Sequence, residues 1–333
     1  MRSMKWLGPS SFVLCMGLHI GSALAAPAGD ASACGQPPAP VDHLSGESVY
    51  EKGDPTNSHV NAGAQSTYNK GMAPLWAFVK YVSAEATSYE QSSDKQAAMC
   101  AVGALSGWAS AGALQHLDSR TARLNFGRNL AGIALAYKKV RGTATPDQKA
   151  SIDSWLKGLG QMTTTVFDGD QTKTPMGNLR YWNGLGAAAV GDVVDDTKLF
   201  DWGMEALRIG LCQADADGAL PLEMARGQKA LDYQTYATSA LVMLAKLSKE
   251  HGQAPEQMCG GALGRIVTFT VAASKNPGKI EAKSHVAPAG ASVNGAPGAG
   301  LAWLKAYQSS FGPIVGAPAN PQADDPFLGG NIK

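Results

Sequence analysis

Apolar residues recur along most of the chain at the spacing of helices that bury one face. In one such stretch Leu75, Phe78, Val79 and Val82 fall on the same side. Sustained apolar–polar alternation is missing and β-branched residues are scattered, so the pattern predicts an all-α fold. Helices are expected at residues 64–90, 93–114, 119–140, 146–166, 178–193, 197–213, 224–250, 257–274 and 297–310.

The length and number of these helices indicate the architecture. Many helices joined by short loops fit a toroid, or incomplete barrel, of antiparallel helix pairs better than a four-helix bundle. The sequence has no strict solenoid repeat, so this toroid is inferred rather than read directly. We expect it to occupy residues 64–311.

The two ends of the chain differ from this helical region. Residues 26–63 are rich in Pro, Gly, Ala and Ser, which favours an extended N-terminal arm. Residues 312–333 also contain many prolines and glycines, and we expect a C-terminal tail that lies along the surface or is disordered.

Residues 1–25 have the composition of a secretory signal peptide. Arg2 and Lys5 precede the apolar run Phe12–Ile20, and small residues follow it. The run is too short to span a bilayer and contains His19, which argues against a transmembrane anchor. The sequence therefore predicts cleavage, export and a periplasmic location.

The charge balance argues against a nucleic-acid partner. The chain has 28 Lys and Arg against 27 Asp and Glu, a net charge of +1. Loss of residues 1–25 removes Arg2 and Lys5, leaving 26 against 27 and a net charge of −1. Nucleic-acid binders are normally basic. A polyanion can still bind if the basic residues gather in one groove.

Four cysteines remain after cleavage, Cys34, Cys100, Cys212 and Cys259. In an oxidising compartment an even number suggests two disulfides, and three pairings are possible. Order along the chain favours Cys34–Cys100 and Cys212–Cys259. Zinc-ligand spacing is absent among them, so we expect structural disulfides and neither a metal nor another cofactor.

Two stretches place polar and aromatic side chains where a plain core helix would carry apolar ones. The first is Gly177-Asn178-Leu179-Arg180-Tyr181-Trp182-Asn183. The second contains Asp215-Ala216-Asp217-Gly218-Ala219-Leu220-Pro221 and then Arg226-Gly227-Gln228-Lys229-Ala230-Leu231-Asp232-Tyr233-Gln234-Thr235-Tyr236.

These stretches resemble the alginate lyases of polysaccharide lyase family five. That family carries Asn-His-x-Tyr-Trp, Asp-Ala-Asp-Gly-x-Leu-Pro and Arg-x-x-x-Ala-Leu-x-Tyr-x-x-Tyr in this order. The resemblance covers residues 34–275, is dense from 175 to 250, and includes Ser106–Leu114, Leu199–Trp202 and, more weakly, Ser48–Asp54. It implies metal-free β-elimination of a uronate chain, in which the carboxylate is neutralised, the C5 proton removed and the leaving C4 oxygen protonated.

The resemblance implies catalytic roles for three residues. Asn178 and Arg226 would neutralise the substrate carboxylate, and Tyr233 would transfer the proton. On one continuous helix Arg226 and Tyr233 would share a face, about 10 Å apart along the axis. Outside the motif, a solvated arginine and a surface tyrosine would be the ordinary interpretation.

Leu179 departs from the family pattern, which has a histidine there that binds the carboxylate and can act as a base. An aliphatic side chain can do neither. Val49 likewise replaces a basic residue, with Lys52 three positions on, and His59 and Arg180 are candidate substitutes. Three alternatives stay open: one tyrosine makes both proton transfers, another group has moved in, or catalysis is lost.

Aromatic residues within the motifs are candidate sugar contacts. Tyr181, Trp182 and Tyr236 could line the groove, because aromatic faces suit sugar rings. Core packing is expected for the tryptophans at apolar helix positions, Trp76, Trp108, Trp155 and Trp202.

The acidic residues of the second stretch raise the alternative of a hydrolase. Asp215, Asp217 and Glu223 could supply a glycosidase acid and base, but the two aspartates are too close in sequence to bracket a sugar. Asp217-Gly218 favours a turn that positions the next helix. A calcium loop would need more ligands.

The sequence therefore predicts a periplasmic lyase acting on an anionic uronate polysaccharide such as alginate. One alternative is a catalytically silent polyuronate-binding homologue that works with the polysaccharide-export machinery. A second is a lyase for another uronate such as polyglucuronate, and a hydrolase comes last. Neither nucleic acid nor a membrane anchor is expected.

Overall fold

Helices dominate the structure, a computed structural model that describes residues 34–169, 176–289 and 301–332. The predicted signal peptide lies outside these residues. The helices are α1 (Ala62–Ser92), α2 (Lys95–Ser110), α3 (Arg120–Val140), α4 (Pro146–Asp168), α5 (Asn178–Val193), α6 (Thr197–Gln213), α7 (Pro221–Met224), α8 (Ala230–Glu250), α9 (Met258–Lys275), α10 (Gly278–Ser284) and α11 (Trp303–Phe311). The all-α prediction is confirmed.

Strands occur only as two short pairs in the described part of the chain. β1 (His43–Leu44) runs parallel to β2 (His116–Leu117), and β3 (Asp324–Asp325) is antiparallel to β4 (Gly330–Asn331). The first pair joins the N-terminal arm to the connection between α2 and α3. The second folds the C-terminal tail back on itself.

Polar side chains fix where the helices begin. Asn61, Asp94 and Ser119 accept hydrogen bonds from backbone N–H groups in the first turns of α1, α2 and α3. Thr145 and Gln148 form a reciprocal capping box at the start of α4. These caps satisfy backbone donors that the helices leave unpaired, and the boundaries there follow the sequence closely.

The largest difference from the predicted helices lies at residues 224–250. The chain instead forms α7, a 3₁₀ turn at Gly227–Lys229, and then α8. Gly227 has a φ of 53°, in the region that favours glycine, and interrupts the expected helix. The sequence analysis also missed α10, while residues 297–300 of the last expected helix lie outside the described residues.

Helices α3 and α5 pack with their backbones in contact. A Cβ added at Gly127 would lie 2.3 Å from Cα of Asn183, and one added at Gly186 would lie 2.7 Å from the carbonyl oxygen of Gly127. Only glycine permits this approach. It fixes α3 against α5, and α5 in turn packs against α6 and α8.

The described parts of the arm and the tail pack against the helices. Trp108 donates from Nε1 to the carbonyl of Pro38 at 2.9 Å. In the tail, Leu328 and Ile332 are buried, and Ser83 of α1 donates to the carbonyl of Pro326 at 2.8 Å. Residues 326–332 therefore lie against the body of the protein, and Ile314 and Ala317 of the tail pack partly buried against the core.

Two disulfides connect separate elements, as predicted. Cys34–Cys100 joins the arm to α2, and Cys212–Cys259 joins α6 to α9, with Cα–Cα distances of 5.3 and 5.1 Å. Each closes a long loop and so restricts the unfolded chain. Within the described residues, every helix is too short or too polar to cross a membrane.

Candidate functional site

A cavity of about 810 Å³ opens where the N-terminal turns of several helices converge. It is lined by the first turns of α3, α5, α8 and α11, by the N-terminal half of α1, and by parts of the arm and tail. Helix N-termini carry partial positive charge and unpaired N–H groups. The fold thus directs a positive field into the cavity.

The summed side-chain charge of the cavity lining is also positive. Four basic and two acidic residues line it, Arg120, Arg128, Arg226, Lys229, Asp232 and Asp325. One of the acids is compensated, because Lys229 forms an ion pair with Asp232 at 3.0 Å. A chain of nearly neutral overall charge therefore gathers basic groups in one place, which suits an anionic ligand.

Arg226, Tyr233 and Tyr50 form a stack at one side of the cavity. The guanidinium carbon of Arg226 lies 3.5 Å from the ring centre of Tyr233, and the Tyr50 hydroxyl is hydrogen-bonded to the Tyr233 hydroxyl. Burial, followed by the neighbouring phenol of Tyr50, raises the pKa of Tyr233, although Arg226 opposes this. The Tyr233 hydroxyl is therefore protonated at neutral pH.

Arg226 also holds the loop that carries Tyr50. Its Nε and Nη2 donate to the carbonyls of Thr56 and Asn57 at 2.8 and 2.6 Å. Inside the loop, the carboxylate of Asp54 accepts from backbone N–H groups, and Tyr50 pairs with Val60 in an antiparallel bridge. This network fixes the position of the Tyr50 hydroxyl over the cavity.

Asn178 begins α5 and lines the cavity, and its partner is Glu223. The backbone N–H of Asn178 donates to Oε1 of Glu223, and its side-chain Nδ2 donates to Oε2, both at 2.7 Å. Glu223 is 1% exposed, and burial raises the pKa of its carboxyl to about 7. Oδ1 of Asn178 is buried without a hydrogen-bond partner among the described residues.

A second cationic cluster lies in the same cavity. The guanidinium carbon of Arg128 is 3.9 Å from the ring centre of Phe327 and between 5 and 6 Å from those of Trp182 and Tyr236. Trp182 in turn donates to the carbonyl of Tyr236 at 3.0 Å. Trp182 and Tyr236 therefore line the cavity, as the sequence analysis expected.

Leu179, the residue at which the sequence resemblance implies a departure from the family's histidine, lines the cavity. Among the described residues, the lining of the cavity contains no histidine. On the side of the cavity formed by Arg226, the groups able to transfer a proton are the phenols of Tyr50 and Tyr233.

Arg180 and Tyr181 do not reach the cavity, which corrects the predicted substrate contacts. Arg180 is buried, with its guanidinium carbon 3.4 Å from the ring centre of Trp202, and burial lowers its pKa to about 10. The Tyr181 side chain is fully buried and donates to Gln213 at 2.7 Å. On α5, Arg180 points to the side opposite the cavity, and Tyr181 lies outside the arc that Asn178, Leu179 and Trp182 span.

Lys52 and His59 are also placed outside the lining of the cavity, another correction. Both are exposed. The ring of His59 lies 3.2 Å from the carboxylate of Asp54, and it helps to close the loop rather than replace the missing histidine.

The acidic turn of the second stretch has a structural role. Asp215 accepts from the backbone N–H groups of Asp217, Gly218 and Ala219, and Lys283 donates to both aspartates. Neither aspartate lines the cavity. This agrees with the predicted turn and not with a glycosidase pair.

Several cavity residues escaped the sequence analysis. Trp76, expected in the core, lines the cavity together with Tyr68, whose ring meets it edge-on at 6.0 Å. Burial raises the pKa of Tyr68 to about 12. The face of α3 is formed by Thr121, Asn125 and Arg128. Polar residues spaced by three and four positions on an otherwise apolar helix were the signal available for that face.

One group spaced for a metal ion occurs in the described residues, formed by Asp42, His43 and His116. All three are exposed and stand beside the β1–β2 pair, outside the lining of the cavity. Sequence alone separated these histidines by more than seventy positions and gave no sign of their proximity.

Known proteins resemble this chain in sequence. The sequence model of the family described as Alginate lyase matches residues 46–280. A polysaccharide lyase from Stenotrophomonas maltophilia is 30% identical over 308 residues, which cover 90% of each chain. An alginate lyase from Azotobacter vinelandii is 28% identical over 257 residues, 75% of this chain and 68% of that one.

The solved structures support the fold. The crystal structure of alginate lyase A1-III from Sphingomonas species A1 matches with a TM-score of 0.75 and 24% identity, over 90% of this chain and 85% of that one. This likeness confirms the expected toroid of helix pairs. With the family match over residues 46–280 and the 30% identity to the Stenotrophomonas protein, it shows that the chain belongs to the alginate lyase family.

Proposed function

We propose that this protein is an exported polysaccharide lyase that cleaves alginate or a related polyuronate by β-elimination. The observation that carries the proposal is the stack of Arg226 on Tyr233, joined to the Tyr50 hydroxyl, in a basic cavity that also contains Asn178. The reaction needs a cation and an amide beside the substrate carboxylate and a phenol for proton transfer, and one wall of the cavity carries all of these groups. A variant of lyase A1-III, which shares this fold, is complexed with a tetrasaccharide.

The first task of such a site is to neutralise the substrate carboxylate. Charge develops on that group when the C5 proton leaves, so donors placed beside it stabilise the transition state more than the ground state. Arg226 supplies a permanent charge, and the converging helix N-termini add to the field. Asn178 is the third group, since it lies at the first turn of α5.

The second task is proton transfer. The C5–H bond breaks, a double bond forms between C4 and C5, and the C4–O4 bond breaks as O4 takes up a proton. No water is consumed. Tyr233 is suited to protonate O4, because burial keeps its hydroxyl protonated.

The identity of the base follows from what the cavity contains. With Leu179 in place of histidine, we assign the removal of the C5 proton to the phenolate form of Tyr233, stabilised by Arg226 over its ring. The same oxygen then gives the proton to O4. Tyr233 therefore ends the reaction in the protonation state in which it began. The phenolate is a minor form at neutral pH, so activity should rise with pH until another group limits it.

One residue acting twice imposes a stereochemical condition. H5 and O4 must lie on the same face of the sugar, as they do in mannuronate and glucuronate but not in guluronate. We therefore expect cleavage of polymannuronate or polyglucuronate and little cleavage of polyguluronate.

The location is proposed from the sequence. Residues 1–25 have the composition of a signal peptide, and the two disulfides are of the kind that persist outside the cytoplasm. A periplasmic lyase would meet uronate chains in transit, so the polysaccharide-export machinery is the proposed partner. Sequencing the N-terminus of protein recovered from the periplasm would test cleavage after residue 25 or 26.

The activity is tested by the absorbance of the unsaturated sugar end over a panel of uronate polymers. We expect the chromophore with the wild type and a loss of at least about 10² in kcat with Tyr233→Phe, which keeps the ring and removes only the hydroxyl that transfers the proton. Tyr89→Phe, outside the cavity lining, is the matched control and should remain active. A wild type that binds the polymers without forming the chromophore would favour the binding homologue, and an active Tyr233→Phe would refute the assigned mechanism.

A further inference from the structure

The amide of Asn178 is turned the wrong way for the role proposed above. Its Nδ2 donates to Glu223, and its Oδ1 has no partner among the described residues. A carboxylate has only acceptor oxygens, as Oδ1 does. In this orientation the side chain offers a substrate carboxylate no donor, and a buried acceptor left unpaired is itself unfavourable.

The orientation is dictated by Glu223. An ionised carboxylate accepts at both oxygens, and here Oε1 takes the backbone N–H and Oε2 the side-chain NH₂ of Asn178. A protonated carboxyl carries one O–H group. With the proton on Oε2, that O–H could donate to Oδ1 once the amide turned by a half rotation, while Oε1 kept the backbone N–H.

We propose that Glu223 is a positioning residue whose protonated carboxyl turns the Asn178 amide, so that the NH₂ group faces the cavity and meets the substrate carboxylate. The inference rests on the proposed lyase function. Glu223 does not line the cavity, so it acts through Asn178 and not on the substrate. The pair is tightly enclosed, since a Cβ at Gly177 would lie 2.7 Å from Oε1.

The surroundings of Glu223 make both protonation states accessible near neutral pH. Burial raises the pKa of its carboxyl to about 7, while the two hydrogen bonds from Asn178 and the charge of Arg226 act in the opposite direction. From α5, the phenol of Tyr181 interacts electrostatically with Glu223: burial first, and then the charge of Glu223, raises the pKa of that phenol. Protonation thus removes a negative charge beside the carboxylate site and supplies a donor at the same time.

The kinetic test uses pH profiles of kcat/KM for the wild type, Glu223→Gln and Glu205→Gln. Above about pH 7 the protonated fraction of Glu223 falls about tenfold per pH unit, which should cancel the gain from the Tyr233 phenolate, so that the wild-type profile levels off. Glutamine copies the protonated acid, with one oxygen to accept and an NH₂ group to donate to Oδ1. Glu223→Gln should therefore match the wild type at about pH 6 and continue to rise above about pH 7. Glu205→Gln, on the exposed face of α6, should level off as the wild type does.

A second measurement needs no substrate. In protein labelled with nitrogen-15 asparagine, the side-chain amide signal absent from Asn178→Ala identifies Asn178. It should shift with a midpoint near pH 7 in the wild type and stay constant in Glu223→Gln. If this titration is seen but no polymer is cleaved, the lyase proposal fails and the coupling of Glu223 to Asn178 stands.

The opposite results overturn the inference. If polymers are cleaved but the Asn178 signal does not titrate, or the Glu223→Gln profile levels off above about pH 7 as in the wild type, Glu223 does not set the orientation of the amide. A folded Glu223→Gln that is inactive at every pH would show that the carboxylate form itself is required.

Discussion

Arg226 lies 3.5 Å from the ring centre of Tyr233 although the helix expected to join them is broken between the two residues. On a continuous helix they would be separated by about 10 Å. The 3₁₀ turn at Gly227–Lys229 folds Arg226 back over the ring instead. From there the same side chain reaches the carbonyls of Thr56 and Asn57. One residue thus joins the proposed catalytic phenol to the loop that carries Tyr50.

This relationship predicts that charge alone cannot replace Arg226. Lysine keeps the charge, but its single ammonium cannot stack flat on Tyr233 and donate in two fixed directions. We expect Arg226→Lys to lower kcat/KM by about 10² and Arg226→Ala to lower it further. Steady-state kinetics on the best polymer would measure both.

The control for this series is Arg208→Lys. Arg208 forms an ion pair with Glu205 on the exposed surface of α6, and its replacement should leave kinetics unchanged. Wild-type activity in Arg226→Lys would show that the stack has no part in the reaction.

The helices were predictable because their signals are local. The apolar spacing gave most boundaries to within a few residues, and Asp94 and Ser119 cap α2 and α3 at or next to their expected starts. The break before α8 was missed because Arg-Gly-Gln-Lys carries no strong helix-stopping signal apart from one glycine. That single glycine adopts a positive φ.

Two predicted sugar contacts, Arg180 and Tyr181, were wrong because their angular position around helix α5 was not considered. In α5, Asn178, Leu179 and Trp182 share the face turned to the cavity. At about 100° per residue, Arg180 falls on the opposite side and Tyr181 well away from that face. Applying this phase to the motif would have removed both from the list of sugar contacts.

Other cavity residues were beyond the sequence because they meet over long separations. Tyr50 reaches Tyr233 across 183 positions. Phe327, in a tail whose order the sequence left open, packs on Arg128. Such contacts depend on how the arm and the tail cross the helices, and short motifs do not encode that path.

Glu223 should also make stability depend on pH. Its folded pKa of about 7 exceeds the ordinary value of 4.5, so between these values the folded state binds a proton that the unfolded state lacks. Stability is therefore full below about pH 4.5 and falls as pH rises to about 7. Relative to the wild type, Glu223→Gln should raise the melting temperature at about pH 8 and lose this advantage near pH 4. Melting curves of both proteins at the two pH values would test this prediction. An equal difference in melting temperature at both pH values would contradict the raised pKa of Glu223.

Because α3 and α5 are in backbone contact, we expect a single methyl group added between them to lower the stability of the protein markedly. Gly127→Ala would place Cβ against the backbone of Asn183, which cannot move aside as a flexible side chain could. We expect a loss of about 1–3 kcal/mol in the free energy of unfolding. Gly103→Ala on α2 is the matched control, since a Cβ there meets nothing within 4 Å. It should be neutral or stabilise the protein by up to about 1 kcal/mol. Denaturant titrations would compare the two, and equal stabilities would mean that the helices can separate without cost.

The final prediction concerns Leu179. A histidine there would stand in the first turn of α5, where the positive helix end favours the neutral imidazole, the form that accepts a proton. Tyr233 would then need only to donate, which its protonated resting state already allows. We expect Leu179→His to raise kcat by about 10² or more and to extend cleavage toward polyguluronate, whose H5 and O4 lie on opposite faces.

Leu222→His provides the control, because Leu222 is exposed outside the cavity lining and a histidine there should change nothing. Turnover on mannuronate, guluronate and glucuronate polymers would be measured for both variants. If folded Leu179→His gains nothing on any polymer, the cavity does not lack a base, and its wall has been adapted to leucine. The phenols would then carry all proton transfer by themselves, or the site would bind uronate chains without cleaving them. The wild-type chromophore assay already separates those two outcomes.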